Sequence, residues 1–219
     1  AIVVLAAVAV AYLVMLRKSD DGASVPKWLA WLSVALSVAL VAVMAHSYTM
    51  AARPAWDSVL WILYVLGNAC VLGPATFAFL MAAAPPAGQP AGRAADAGAP
   101  AGLAALVGAA ANALAALAFA IFLQLSAGSF ADVGYYFDPT HPNVAMANPA
   151  NVSLFTGDSL AALVVAVIAL VVALVGALLG KKQGAWKVWG AVVAIAGLVC
   201  AVALRIMMYT MGETLFMLY

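Results

Sequence analysis

Residues 159–180 read SLAALVVAVIALVVALVGALLG, a run of 22 positions without a charged side chain. A stretch of about 20 apolar residues matches the hydrocarbon thickness of a bilayer when it is helical. Lipid offers no partner to an open amide or carbonyl, so such a run must satisfy its backbone within a helix. The same pattern recurs along the chain, at about 1–16, 28–50, 58–84, 102–126 and 188–211. The expectation is an all-α, polytopic transmembrane helix bundle forming one integral membrane domain over 1–219. The composition agrees, with 68% hydrophobic and 8% charged residues and a mean hydropathy of +1.13.

The first segment is shorter than the others, and the chain begins at Ala1 already inside an apolar run. An N-terminal part of the natural protein is therefore expected to precede it. Gly73-Pro74 falls inside the third segment. A proline there removes one amide donor and is expected to kink the helix.

Seven of the nine Lys and Arg lie in the first, third and fifth connections: Arg17, Lys18 and Lys27, then Arg93, then Lys181, Lys182 and Lys187. The positive-inside rule places loops 17–27, 85–101 and 181–187 in the cytoplasm. Loops 51–57 and 127–157 and the C-terminus then face outward. The third connection, PPAGQPAGRAADAGAP, reads as a flexible linker over 85–101. The fourth, 127–157, carries Phe130, Tyr135, Tyr136, Phe137 and Phe155. Its length and aromatic content favour a folded outer cap or a docking surface over a disordered tether, although belt aromatics at the interface account for some of the rings.

Polar groups inside the segments are few enough to place by depth. His46 lies 18 residues beyond Trp28, and Arg205 lies 18 residues beyond Lys187. At 1.5 Å per residue both reach the outer boundary of the hydrocarbon. Tyr209 follows Arg205 by one turn on the same face. Asp57, Trp61, Tyr64 and Asn68 fall at i, i+4, i+7 and i+11, a single stripe running inward from the outer edge. Each has a plain structural reading. Arg205 can snorkel, and His46 can bond a backbone carbonyl. Asp57 and Asp158, each followed by a serine, can cap helices. Trp61 and Tyr64 can be packing or belt residues, and Asn68 and Asn112 can hydrogen-bond between helices. The functional reading rests on their convergence, since ionisable groups inside a membrane segment are costly and mark functional sites. A cavity with a His, an Arg, a Tyr and a polar stripe suits an amphipathic ring bearing two oxygens, such as a quinone. His46 would accept a proton, and Arg205 and Tyr209 would orient the opposite oxygen. Arg53, Asp57 and Tyr64 complete the candidate set.

Other chemistries lack their residues. A bis-His haem needs two intramembrane histidines, and His141 lies in the outer loop. Cys70 and Cys200 sit in apolar segments without CxxC or Cys/His spacing, which excludes an iron–sulfur cluster within the chain and fits buried thiols. No basic cluster addresses nucleic acid, and no Walker, HExxH or GxSxG motif is present. The chain reads as non-catalytic on its own.

The His46-Ser47-Tyr48 helix end, the Arg53-Pro54-Ala55-Trp56 corner, Leu72-Gly73-Pro74 in the next helix, and RIMMYTMGETLFMLY with Arg205 and Tyr209 resemble the anchor subunits of dimethyl sulfoxide reductases, the DmsC-like family. The resemblance implies an eight-helix subunit of the bacterial cytoplasmic membrane, of which the six segments here are the last six. It implies oxidation of menaquinol in anaerobic respiration, with electrons passed to an iron–sulfur subunit and on to a molybdopterin catalytic subunit, both on the outer face. It places the family's quinol-site histidine on a helix ahead of Ala1, so that role is not carried to His46. A polysulfide-reductase or NrfD-type quinone subunit, a small transporter and a purely structural anchor are the alternative readings.

Overall fold

The computed structural model describes residues 2–19, 25–51, 53–83, 91–130 and 152–212. The described residues form six α-helices and one short 3-10 turn, with no strand among them. These are α1 (Ile2–Lys18), α2 (Lys27–His46), α3 (Val59–Ala83), α4 (Ala91–Ser126), α5 (Gly157–Gln183) and α6 (Trp186–Thr210). Five carry windows long and apolar enough to cross a membrane: α2, α3, Pro100–Ser126 of α4, α5 and α6. The protein is a helical transmembrane bundle. α1, at 17 residues, is equally apolar and slightly shorter.

The chain divides into two compact units, Ala1–Ser47 and Tyr48–Tyr219. In the first, α1 packs on α2. In the second, α3 packs on α4, α4 on α5, α5 on α6, and α6 back on α3, closing a ring of four helices. A lipid-facing helix gains nothing by hiding apolar side chains from lipid, so this ring is held by close backbone approach through small residues. Ala162, Ala166, Ala169, Ala173, Gly176, Ala177 and Gly180 make up most of the buried face of α5. Gly108 of α4 lies against the Cys70 carbonyl of α3, where a Cβ would overlap backbone. Gly190 of α6 meets the backbone of α3 in the same way, with a Cβ there only 3.0 Å from the Ala75 carbonyl oxygen.

Several boundaries differ from the sequence reading. α2 stops at His46 and not near residue 50: Ser47 takes the C-cap position, its amide bonds the Val43 carbonyl, and its hydroxyl bonds the Met44 carbonyl at 2.7 Å. α4 starts at Ala91, inside the stretch expected to be a linker. The composition of AGRAADAGA explains this, since alanine is the strongest helix former and outweighs the scattered glycines. α3 keeps to the expected segment, with Pro74 inside a single helix. α5 and α6 are joined by a two-residue turn in which Gly184 takes φ 68°, the left-handed C-cap that glycine adopts without a Cβ penalty. Residues 131–151, including Tyr135, Tyr136, Phe137 and His141, lie outside the described residues, as do residues 84–90 and 213–219. The folded cap expected in the outer loop falls largely there. Its end is placed: Gln124 Oε1 of α4 accepts from the Leu154 amide at 3.0 Å, and Leu154 is buried.

Candidate functional site

The corner between α2 and α3 is built by local hydrogen bonds. The Trp56 amide bonds the Arg53 carbonyl at 2.8 Å, and the Asp57 amide bonds the same oxygen at 3.2 Å. Ser58, not Asp57, caps α3: its hydroxyl accepts from the Leu60 amide at 3.1 Å. Asp57 is exposed. The expected capping by Asp57 is thus displaced one residue, because the turn commits the Asp57 backbone before the helix starts. Asp158 is likewise not the cap of α5. Thr156 holds that position and Asp158 lies in the first turn, where its charge favours the positive end of the helix dipole.

The corner folds onto the end of α6. Arg53 Nη1 donates to the Gly212 carbonyl at 2.7 Å, and Trp56 Nε1 donates to the Met208 carbonyl at 2.8 Å. The last carbonyls of a helix have no partner within it. Trp56 supplies one of them, at Met208, and Arg53 holds the Gly212 carbonyl just past the helix end, where its charge also suits the negative end of the helix dipole. Trp56 meets Tyr209 edge-on at 5.3 Å, and the Arg53 guanidinium lies 4.6 Å from the Trp56 ring centre.

Beside this clasp, α3 and α6 leave a groove of about 500 Å³. Trp61, Tyr64 and Asn68 line it from α3, and Arg205, Tyr209 and Thr210 from α6, with Val65, Leu198, Ala201, Val202 and Ile206 as its apolar wall. Trp61, Tyr64 and Asn68 do share one face of α3, as the stripe read from the sequence expects, while Asp57 does not join it. Arg205 sits among rings, its guanidinium 4.3 Å from the Tyr48 centroid and 5.7 Å from those of Trp61 and Tyr209. Such contacts hold the cation electrostatically without using its N–H donors. Among the described residues no carboxylate pairs with it.

The inner wall is tightly packed. Trp61 and Tyr64 are 2% exposed and share contacts with Phe119 of α4, at 5.3 and 6.1 Å. Asn68 Nδ2 donates to the Gly197 carbonyl of α6 at 3.0 Å, the interhelical bond expected of it. Trp61 Nε1, the Tyr64 hydroxyl and Asn112 Oδ1 are buried and make no hydrogen bond to a described residue. That combination is uncommon, since most buried polar atoms are paired.

Of the six candidate site residues, Tyr64, Arg205 and Tyr209 come together on the groove. Arg53 is engaged on the Gly212 carbonyl beside it, and Asp57 is exposed in the corner. His46 belongs to the other compact unit, at the end of α2, where it is exposed. Tyr48, Trp61 and Thr210 were not among the candidates. Tyr48 lies beyond the end of α2, so no helical periodicity could align it with Arg205. Among the described residues, no three His, Cys, Asp or Glu side chains gather as a metal site. Comparisons with protein-family models, curated proteins and solved structures found no match.

Proposed function

We propose that this chain is the membrane anchor and menaquinol-oxidising subunit of a reductase complex of the dimethyl sulfoxide reductase type, and that the α3–α6 groove receives the quinol. The observation that carries the reading is the groove's donor set. The Arg205 guanidinium lines a mostly apolar groove, held among three aromatic rings, and no carboxylate among the described residues pairs with it. The residues fit the ligand class. Three rings provide flat walls, the Arg205 guanidinium addresses a ring oxygen, and Val65, Leu198 and Val202 accommodate an apolar tail.

A quinol supplies two electrons and two protons when it is oxidised. In this proposal Arg205 orients one ring oxygen and stabilises negative charge that develops there. Its flanking rings keep the guanidinium in place, and burial strengthens the interaction relative to water. Trp61 fixes the plane of the ring, and Tyr209 closes the outer edge. The groove itself carries no carboxylate or imidazole among its lining residues. His46 keeps the role of proton acceptor on its helical depth alone. Electrons pass to an iron–sulfur subunit and then to a molybdopterin subunit, docked on the outer face where the positive-inside rule puts the loops at 51–57 and 127–157.

The test is to purify the chain with whatever remains bound to it and to titrate a menaquinol-analogue inhibitor. Co-purified iron and molybdenum with inhibitor-sensitive quinol oxidation is the expected result. A chain that isolates alone and binds no analogue overturns the proposal. In the assembled complex, His46→Ala is expected to alter the pH profile of quinol oxidation. An unchanged profile removes His46 from the mechanism.

A further inference from the structure

Across the Leu198, Val202 and Ile206 ridge of α6, which it shares with the α3–α6 groove, an apolar furrow follows the seam between α5 and α6. Its first part holds about 580 Å³ and begins at Asp158. Its second part holds about 350 Å³ and continues from Val165 and Val199, which line both, to Val172 and Val192. Buried Ala162, Ala169, Ala196 and Ala203 form the floor, and exposed branched side chains such as Ile168 and Val202 form the walls. α5 has no charged residue between Asp158 and Lys181. A charge within hydrocarbon is costly, so Asp158 stands at the membrane boundary and the furrow descends from it. From Asp158 to Val172 the descent is about 21 Å at 1.5 Å per residue. One leaflet is about 15 Å deep, half of the hydrocarbon core, so the furrow spans the depth of an acyl chain. Its mouth is short of positive charge. No Lys or Arg lies between Arg93 and Lys181. The hydroxyl pair of Ser159 and Thr210, at 2.7 Å, ties this end of α5 to the end of α6. The arginines there are engaged elsewhere, Arg53 on the Gly212 carbonyl and Arg205 among its three rings.

We propose that the furrow holds an acyl chain of a phospholipid with a primary-ammonium headgroup, and that Asp158 pairs with the ammonium. An ethanolamine phospholipid carries both parts in the order the furrow requires, a cation at the interface and an apolar chain beneath it. The pair forms at the membrane boundary, where charge attraction is stronger than in bulk water. An anionic headgroup brings a second negative charge to Asp158 and is disfavoured there. The inference does not depend on what the α3–α6 groove binds.

The experiment is native mass spectrometry of the full chain released from nanodiscs of equimolar phosphatidylethanolamine and phosphatidylglycerol with the same acyl chains, without added quinol. The wild type is expected to retain phosphatidylethanolamine several-fold over phosphatidylglycerol. Asp158→Asn changes an exposed side chain with little change of shape, and is expected to remove the preference. Val199→Trp sets an indole across the point where the two parts of the furrow join, and is expected to lower retention of either lipid several-fold. Both positions are exposed, so neither substitution disturbs the buried seam. A wild type that retains no lipid, or both lipids equally, overturns the site. So does an unchanged preference in Asp158→Asn, unchanged retention in Val199→Trp, or a second copy of the chain retained in place of the lipid.

Discussion

Replacing Arg205 separates the two things this side chain does. Its guanidinium is held by three rings, at 4.3, 5.7 and 5.7 Å. Each such contact is worth about 0.5–1 kcal/mol when exposed and about 2 kcal/mol when desolvated. The nearest ring dominates, because the attraction falls with distance, so the structural loss in Arg205→Gln is about 1–2 kcal/mol. At a few degrees per kcal/mol for a chain of this size, the melting temperature falls by a few degrees and the bundle stays folded. The loss in ligand binding is of another kind. A hydrogen bond from a charged donor contributes about 1.5–3 kcal/mol, so the dissociation constant of a menaquinol analogue rises about 10- to 150-fold. Arg205→Lys keeps the charge but not the planar fork, and is expected to fall between the wild type and Arg205→Gln. The assay is equilibrium binding of a radiolabelled analogue to protein in nanodiscs, with a thermal melt on the same preparation. A folded Arg205→Gln protein that binds within threefold of the wild type would refute the assignment and leave Arg205 a structural residue of the aromatic cluster.

Four further outcomes follow from the geometry. Gly108→Val puts a branched side chain where a Cβ already overlaps the Cys70 carbonyl, so α3 and α4 must separate. A loss at the upper end of single-residue effects, about 3 kcal/mol or more, is expected in a denaturation series, and retention of wild-type stability would contradict the packing described. Trp56→Phe keeps the ring but removes the 2.8 Å bond to the Met208 carbonyl, with an expected loss of about 1 kcal/mol in the same series. Asn68→Leu breaks the 3.0 Å bond to the Gly197 carbonyl and is expected to lose about 0.6–2 kcal/mol. Ser58→Ala removes the cap of α3 at a cost of about 1 kcal/mol, whereas Asp57→Ala is near neutral. The reverse order in a thermal melt would return the cap to Asp57.

The spans were legible because hydropathy along the chain is a local property and lipid forces helices wherever it is high. Segment ends were less so. α2 stops four residues before its apolar run does, because Ser47 diverts the chain into the corner. α4 starts before its apolar run, where alanine propensity acts without hydropathy. Helical counting did align Trp61, Tyr64 and Asn68 on one face, and Arg205 with Tyr209, since those sets lie within single helices. It could not see Tyr48 over Arg205, Trp56 on the Met208 carbonyl of α6, or Arg53 on the Gly212 carbonyl just past that helix. Those contacts cross about 150 residues of sequence and depend on a turn with no period.

The sequence by itself determined that the chain crosses a membrane, where its helices run and which few side chains are polar inside them. Only the tertiary structure decided which of those side chains meet. Helix-to-helix register here is set by where glycine and alanine let backbones touch, as at Gly108 on Cys70 and Gly190 on Ala75. That register brought Tyr64, Arg205 and Tyr209 to one groove and set Arg53 and Trp56 against the end of α6.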